Sequence, residues 1–235
     1  RNTKCQKNSK LKSLIGTIDS IYWHKNNIYK NVDKIICPSE FLKNKLDTQN
    51  EFKNKTVVIH NFIDNLKIKK YEKEDYIINF GKFCKDKGTK TLLKVVKQLP
   101  NIKFIFAGYG PLENEFSKYE NIKFVGFKSG EELIELISKA RISIYPSEWY
   151  ENCPFSVIES QMYGTPVIGS NRGGIPELID IGKTGEVFEA KNSYDLKNKI
   201  LELWNNKQKL EEYTKNCEHI KNETIDSYLK KIINL

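Results

Sequence analysis

Short apolar runs alternate with amphipathic stretches along most of this chain. The runs are almost wholly apolar, which is typical of strands that are buried on both faces of a parallel sheet. The predicted strands cover residues 34–37, 56–59, 76–80, 103–107, 122–125, 142–145 and 166–168. The stretches between them repeat apolar residues every three or four positions, as helices packed on such a sheet do.

These amphipathic stretches predict helices between the strands and an all-helical C-terminal part. The predicted helices cover residues 7–31, 39–46, 89–99, 130–138, 193–204, 207–220 and 224–233. Strands that alternate with helices predict an α/β fold with right-handed crossovers. Such a sheet binds its ligands at the carboxyl edge.

A polar, lysine-rich segment over residues 61–75 divides the chain into two unequal parts. The two strand–helix units before this segment are too few for a complete domain. The predicted organisation is a remnant of a larger domain over 1–62, a linker over 63–75, a Rossmann-like domain over 76–222 and a last helix over 223–235. The main domain is expected to hold a doubly wound parallel sheet.

Residues 145–177 carry the strongest functional signal in the chain. Glu151 and Glu159 stand eight positions apart around a predicted helix start, and Ser156 with Glu159 has the spacing of a capping box. Gly164 is placed to end that short helix. A loop that leads from a strand into a helix N-terminus gathers unpaired N–H groups and the positive end of the helix dipole, which favours phosphate.

Each of these two carboxylates also has an interpretation without a ligand. Glu151 could be an exposed loop residue, and Glu159 could only accept the capping-box hydrogen bond. The pair gains weight from its setting, because several residues enforce tight turns on the same edge of the sheet. These residues are Pro154, Gly164, Pro166, Gly173 and Gly174.

A glycine–lysine loop follows the first strand of the main domain. Here Gly81 would let a ligand approach the backbone, and Lys82 and Lys87 would neutralise a diphosphate. A solvated lysine loop is an equally good interpretation of these residues alone. The later Gly108-x-Gly110 lacks the third glycine of a dinucleotide fingerprint and favours a simple turn.

Composition restricts the class of partner and the compartment. The net charge of +9 comes almost wholly from dispersed lysines, which favours a solvated surface over a nucleic-acid-binding face. Attraction to an anionic membrane surface or to a phosphorylated substrate stays open. Five scattered cysteines form no Cys-x-x-Cys, so no disulfide framework or zinc site is indicated and a reducing cytoplasm fits best. The single methionine is Met162, which predicts that Arg1 is not the translated start.

The ordered motifs of the main domain resemble the GT4 (group 1) family of glycosyltransferases, which have the GT-B fold. The motifs that carry the resemblance are Gly81-Lys82 with Lys87-Gly88, Gly108-x-Gly110-Pro111, Phe124-Val-Gly126-Phe127, Glu151 to Glu159, Gly164-x-Pro166-Val and Gly173-Gly-x-Pro-Glu177. Resemblance implies two Rossmann-like domains that face a cleft. The N-terminal acceptor domain would lack its first part in this chain.

The resemblance also implies a role for each site residue. Glu159 would accept hydrogen bonds from the ribose hydroxyls, and Glu151 would act as the catalytic residue that faces the transferred sugar. The N–H groups of Phe155 and Ser156 would bind the diphosphate, and the backbone at Lys128 would contact the nucleobase. The complete set of implied donor-binding residues is Gly81, Lys82, Lys87, Lys128, Pro154, Phe155, Ser156 and Glu159.

Two departures from the family pattern concern this site. Many relatives have arginine where this chain has Lys82, which changes a bidentate phosphate contact to a point charge. Many have glycine where this chain has Pro154, which cannot donate a hydrogen bond.

The function implied is transfer of a sugar from a nucleotide diphosphate sugar to an acceptor hydroxyl, with retention of configuration and without a metal or other cofactor. The acceptor would be a glycan, a lipid-linked molecule or a small molecule, reached in the cytoplasm or at the inner face of the membrane. Two alternatives stay open: a non-catalytic nucleotide-sugar binding module and a nucleotide-sugar epimerase of the same fold.

Overall fold

A computed structural model describes residues 9–63, 71–220 and 224–235. The predicted residues 7 and 8, most of the linker, and residues 221–223 lie outside this described part. The N-terminal unit contains α1 (Lys10–Lys25), a 3₁₀ turn (Ile28–Asn31), β1 (Ile35–Cys37), α2 (Glu40–Leu46) and β2 (Thr56–Val58). β1 and β2 form a two-stranded parallel sheet in which Ile35 lies opposite Thr56.

The larger part of the chain alternates strands and helices as the apolar pattern predicts. Its elements are β3 (Glu74–Lys82), α3 (Thr89–Val96), β4 (Lys103–Tyr109), β5 (Ile122–Phe124), α4 (Gly130–Lys139), β6 (Ala140–Tyr145), α5 (Phe155–Met162), β7 (Val167–Ser170), β8 (Gly185–Phe188), α6 (Ser193–Asn205), α7 (Lys207–Glu218) and α8 (Ile225–Ile233). Two 3₁₀ turns cover Glu113–Lys118 and Pro176–Leu178.

Strands β3 to β8 form one parallel sheet in the order β5-β4-β3-β6-β7-β8. The chain winds outward from β3 in one direction and from β6 in the other, which confirms the predicted doubly wound sheet. Neighbouring strands whose connections run in opposite directions leave a crevice at their carboxyl ends. In this sheet that crevice lies between β3 and β6.

Both faces of the sheet are buried, as the nearly continuous apolar runs require. Ile77 and Ile78 are adjacent in β3 and are both fully buried, but they belong to different clusters. Ile77 packs with Leu92 of α3 and Ile200 of α6, and Ile78 packs on the other face with Ile137 of α4. This two-sided core fixes the strand ends that surround the crevice.

Strand β8 was not among the strands predicted from sequence. Its residues, Gly185–Phe188, begin with glycine and a charged residue, so they lack the apolar run that marks the other strands. Glu186 is buried here because three donors surround its carboxylate: the Tyr213 hydroxyl and the ammonium groups of Lys199 and Lys209.

The C-terminal helix α8 lies against the N-terminal unit. The rings of Phe62 and Tyr228 are 4.9 Å apart, and residues of β2 and α8 line a common cavity. Strand β3 begins at Glu74, inside the predicted linker. The predicted domain boundaries stay predictions. None of the helices in the described ranges is long and apolar enough to span a bilayer.

Candidate functional site

A cavity of about 160 Å³ lies in the crevice between the carboxyl ends of β3 and β6. It brings together four residues that the sequence singled out for a phosphate site: Gly81, Lys82, Lys87 and Ser156. The rest of its lining is Asn79, Phe80, Tyr145 and Pro146. Larger cavities lie between β2 and α8, and at the opposite edge of the sheet beside Lys73 and Arg141.

The glycine–lysine loop is shaped by two glycines with positive φ. Gly81 has φ of 120°, and a Cβ placed on it would meet no atom within 4 Å, so its backbone is open to a ligand. Gly88 has φ of 70°, and its Cβ would lie 1.7 Å from the Pro146 carbonyl oxygen. Only glycine permits this close packing of two backbones, which holds Lys87 beside the end of β6.

The Lys87 side chain forms an ion pair with Glu151, 64 residues further along the chain, with 2.6 Å between Nζ and Oε1. The Ser147 hydroxyl donates to the same oxygen at 2.8 Å. Burial lowers the pKa of Lys87, but its contacts with Glu151 and Tyr145 outweigh burial and hold this pKa above its ordinary value. The catalytic candidate is therefore fixed in place by a cation and a hydroxyl.

Ser147 is fully buried and was not identified from the sequence. Its hydroxyl contacts the Glu151 carboxylate and lies 3.3 Å from the backbone N–H of Trp149, which donates to it. A single serine between Pro146 and Glu148 carries no pattern that predicts this position.

Helix α5 begins at the edge of the cavity, two residues earlier than a capping box with Ser156 as N-cap requires. Pro154 is the N-cap, and Phe155 is the first helical residue. The predicted capping box is therefore wrong: Ser156 lies inside the first turn, where its hydroxyl does not accept from the N–H of Glu159. No side chain in the described ranges caps this helix, so the N–H groups of its first residues are available to an anion.

Glu159 lies one helical turn beyond Ser156 and is partly buried. Burial raises the pKa of its carboxyl group. Within the described part of the chain it has no ion pair and no side-chain hydrogen bond. Such a carboxylate is desolvated without compensation, which is costly unless a ligand supplies hydrogen-bond donors.

The remaining predicted residues occupy different surroundings. Pro154 is buried under the helix start, while the Phe155 side chain is about half exposed. Lys128 does not line the cavity, and its ammonium group contacts Glu132 at 3.2 Å. Gly164 has φ of 72° directly after α5, which confirms its predicted place at the end of that helix. No group of three or more metal-ligating side chains occurs among the described residues, and the absence of a metal requirement stays a prediction.

The geometry combines groups suited to a diphosphate ester. Lys82 is exposed and lines the same cavity as Ser156 in the uncapped first turn of α5. Glu159 offers a carboxylate one turn away, and Glu151 stands beside Lys87. Donors for phosphate and acceptors for hydroxyl groups thus occur at the same edge of the sheet.

The sequence matches the family described as glycosyl transferases group 1 over residues 62–220. An uncharacterized glycosyltransferase (MJ1178) of Methanocaldococcus jannaschii is 35% identical over 187 residues, which are 76% of this chain and 51% of that protein. The sulfoquinovosyl transferase SQD2 of Arabidopsis thaliana is 28% identical over 56% of this chain and 27% of its own. The chain spans about half the length, or less, of these curated relatives.

Solved structures share the fold at low sequence identity. Sucrose-phosphate synthase from Thermosynechococcus elongatus superposes with a TM-score of 0.79 at 21% identity, covering 92% of this chain and 60% of that one. Anabaena HepE, solved in complex with UDP and glucose, gives 0.76 at 19% identity, over 86% of this chain and 62% of its own. These similarities establish the GT-B type of architecture.

Proposed function

This chain belongs to the group 1 family of glycosyl transferases, and from that premise we propose that its cavity between β3 and β6 binds a nucleotide diphosphate sugar. The sugar is then transferred to the hydroxyl group of a glycan, a lipid-linked molecule or a small molecule. The observation that carries the proposal is the meeting of Gly81, Lys82, Lys87 and the uncapped α5 start around one cavity.

The diphosphate is bound by charge and by backbone donors. Lys82 supplies an ammonium group, and the N–H groups of Phe155 and Ser156 lie at the positive end of the α5 dipole. These groups stabilise the negative charge that develops on the leaving diphosphate as the glycosidic bond breaks, which is the main catalytic contribution of such donors. In this proposal they perform that role without a metal ion.

The ribose is bound by Glu159. Its partly buried carboxylate has an elevated pKa because of burial, and two neighbouring ribose hydroxyls would donate to it. These hydrogen bonds would compensate the desolvation of the buried carboxylate. This interpretation gives a role to a carboxylate that has no hydrogen-bond or ion-pair partner among the described residues.

Glu151 acts on the transferred sugar. Its carboxylate is held by Ser147 and by Lys87, which lines the cavity, and it would stabilise positive charge that develops at the anomeric carbon. Retention of anomeric configuration is part of the proposal because the resemblance to the GT4 family implies it. HepE, a protein of the same fold, was solved with UDP-glucose, which makes UDP a suitable first nucleotide to test.

Calorimetric titration of the chain with UDP, GDP and ADP tests the donor site. We expect binding of at least one of them, and Glu159→Ala to weaken it by about 1 to 3 kcal/mol because hydrogen bonds to a charged acceptor are lost. Glu120→Ala, at an exposed glutamate outside the cavity, is the control and should leave affinity unchanged. Equal affinities for the wild type and Glu159→Ala would reject the role of Glu159.

A further inference from the structure

Helix α2 of the N-terminal unit receives half of its N-terminal cap from a distant loop. The exposed carboxylate of Glu177 accepts hydrogen bonds from the N–H groups of Glu40 and Phe41, each at 2.7 Å. The hydroxyl and carbonyl oxygens of Ser39 accept from the next two N–H groups. All four N–H groups of the first turn are thus paired, two of them by a residue more than 130 positions away.

The loop that carries Glu177 also holds the backbone of Glu151. Gly174 donates its N–H to the Glu151 carbonyl oxygen at 2.7 Å. A Cβ on Gly173 would lie 1.9 Å from that same oxygen, and one on Gly174 would lie 2.7 Å from the Ser39 Cβ. The 172–177 loop is therefore packed between the start of α2 and the catalytic candidate.

Residues before and after Glu151 in the chain contact the N-terminal unit as well. The ring of Tyr150 stacks on Phe41 with centroids 5.5 Å apart and an angle of 9° between the planes. The Asn61 side-chain amide donates to the Cys153 carbonyl oxygen at 2.9 Å. Contacts with the N-terminal unit thus support the backbone of residues 150–153. The Glu151 carboxylate is held by Lys87 of the larger part of the chain.

We propose that Glu177 is a positioning residue for the reaction: by capping α2 it fixes the 172–177 loop and, through that loop, the backbone of Glu151. The proposal rests on the proposed function for the role of Glu151 in sugar transfer. Loss of the Glu177 carboxylate would free the loop from α2 and loosen the hydrogen bond between Gly174 and Glu151. Glu151 would then lose its fixed distance to Lys87.

Amide hydrogen exchange followed by NMR tests the first part of this proposal. The whole chain is compared as wild type, Glu177→Ala, Glu177→Gln and the control Glu120→Gln. In Glu177→Ala we expect the Glu40 and Phe41 amides to exchange roughly tenfold faster or more, because a charged acceptor is lost. The Gly174 amide should accelerate by roughly threefold or more, because its partner Glu151 is no longer fixed.

The side-chain ammonium signal of Lys87 provides a readout that a simple helix cap would not change. In Glu177→Ala the pKa of Lys87 should fall. Burial lowers this pKa, and a weaker contact with Glu151 would offset that effect less. Glu177→Gln keeps one acceptor oxygen and should restore part of the wild-type titration. It also serves as the informative variant if Glu177→Ala does not fold.

The outcomes separate this proposal from its alternatives. Faster exchange at Glu40 and Phe41 alone, with Gly174 and Lys87 unchanged, would make Glu177 a local cap and overturn the proposal. Unchanged exchange at Glu40, Phe41 and Gly174, together with an unchanged Lys87 titration, would overturn it too. If the wild type binds none of UDP, GDP and ADP, the proposed function fails, while Gly174 and Lys87 still decide whether Glu177 positions the loop.

Discussion

At the residue scale, Lys87 lines the cavity and its charge is neutralised by the neighbouring carboxylate of Glu151. The side chains of Lys87 and Glu151 are 34% and 15% exposed, so water screens their ion pair only partly. A diphosphate would compete with Glu151 for the Lys87 ammonium group, since both are anionic. We therefore expect the pair to weaken when a donor binds, which would leave Glu151 free to face the sugar.

Glu151→Ala tests this role. The substitution frees Lys87 for the diphosphate, so we expect nucleotide affinity by calorimetry to stay within about threefold of wild type, a free-energy change below about 0.7 kcal/mol. An assay of sugar transfer should show that this activity is abolished. Full turnover in the variant would show that Glu151 does not act on the sugar.

Gly81, Lys82, Lys87 and Ser156 of the cavity lining could be singled out from sequence, but the pairing of Lys87 with Glu151 could not. Glu151 and Lys87 each stand out in a local motif, after β6 and β3. Their contact exists because β3 and β6 are neighbours in the sheet, and strand order is not encoded in either motif. Ser147 was missed for the same reason, since its role arises only from its distance to the carboxylate.

At the element scale, the site depends on the turn between β3 and α3. Gly88 is the N-cap of α3, with a left-handed backbone that packs directly on the Pro146 carbonyl. That contact links the loop carrying Lys87 to the end of β6, and any side chain at position 88 would force the two apart.

Gly88→Ala and Gly126→Ala make a matched pair, because both positions have φ of 70°. A Cβ at Gly126 meets no atom within 4 Å, so this variant has only the conformational cost of about 1 to 2 kcal/mol. Gly88→Ala should lose a further 1 to 3 kcal/mol, roughly, through overpacking. Urea unfolding measures both; equal losses would show that the contact with Pro146 is not tight.

The sequence predicted strands correctly where the apolar run was continuous. It failed where polar residues interrupted the run or where the start of a helix was misplaced. The apolar runs at β3, β4 and β6 were found because both faces of each strand are buried. β8 was missed because Gly185 and Glu186 interrupt its pattern, and Glu186 is buried only through contacts with distant helices. The capping box was wrong because α5 already begins after Pro154. The serine–glutamate spacing is present in the sequence, but Ser156 lies inside the helix and not at its N-cap.

At the scale of the whole molecule, a buried charge joins the edge of the sheet to the helices that close the larger domain. Glu186 of β8 accepts from Tyr213 and Lys209 of α7 and from Lys199 of α6. Burial raises the pKa of Glu186, but these donors lower it by more, so the net pKa is below the ordinary value. A carboxyl pKa that is lowered on folding stabilises the fold above the unfolded pKa, and this stabilisation is lost as pH falls through the folded pKa.

Glu186→Gln should therefore destabilise the chain at neutral pH by about 1 to 3 kcal/mol, because hydrogen bonds to a charged acceptor are weakened. The difference from wild type should shrink as pH falls from the ordinary pKa of a glutamate carboxyl group through the lowered pKa of Glu186 in the fold, where the wild-type carboxylate becomes protonated. Urea unfolding at a series of pH values measures both effects. A difference that stays constant with pH would exclude an electrostatic origin.

The central claim is that the crevice between β3 and β6 binds a nucleotide diphosphate, and a crystal structure of the chain with UDP, GDP or ADP tests it most directly. We predict the diphosphate between Lys82 and the first turn of α5, with the ribose hydroxyls on Glu159. A nucleotide found instead at the opposite edge of the sheet, beside Lys73 and Arg141, or an empty crevice with all three ligands, would contradict the account.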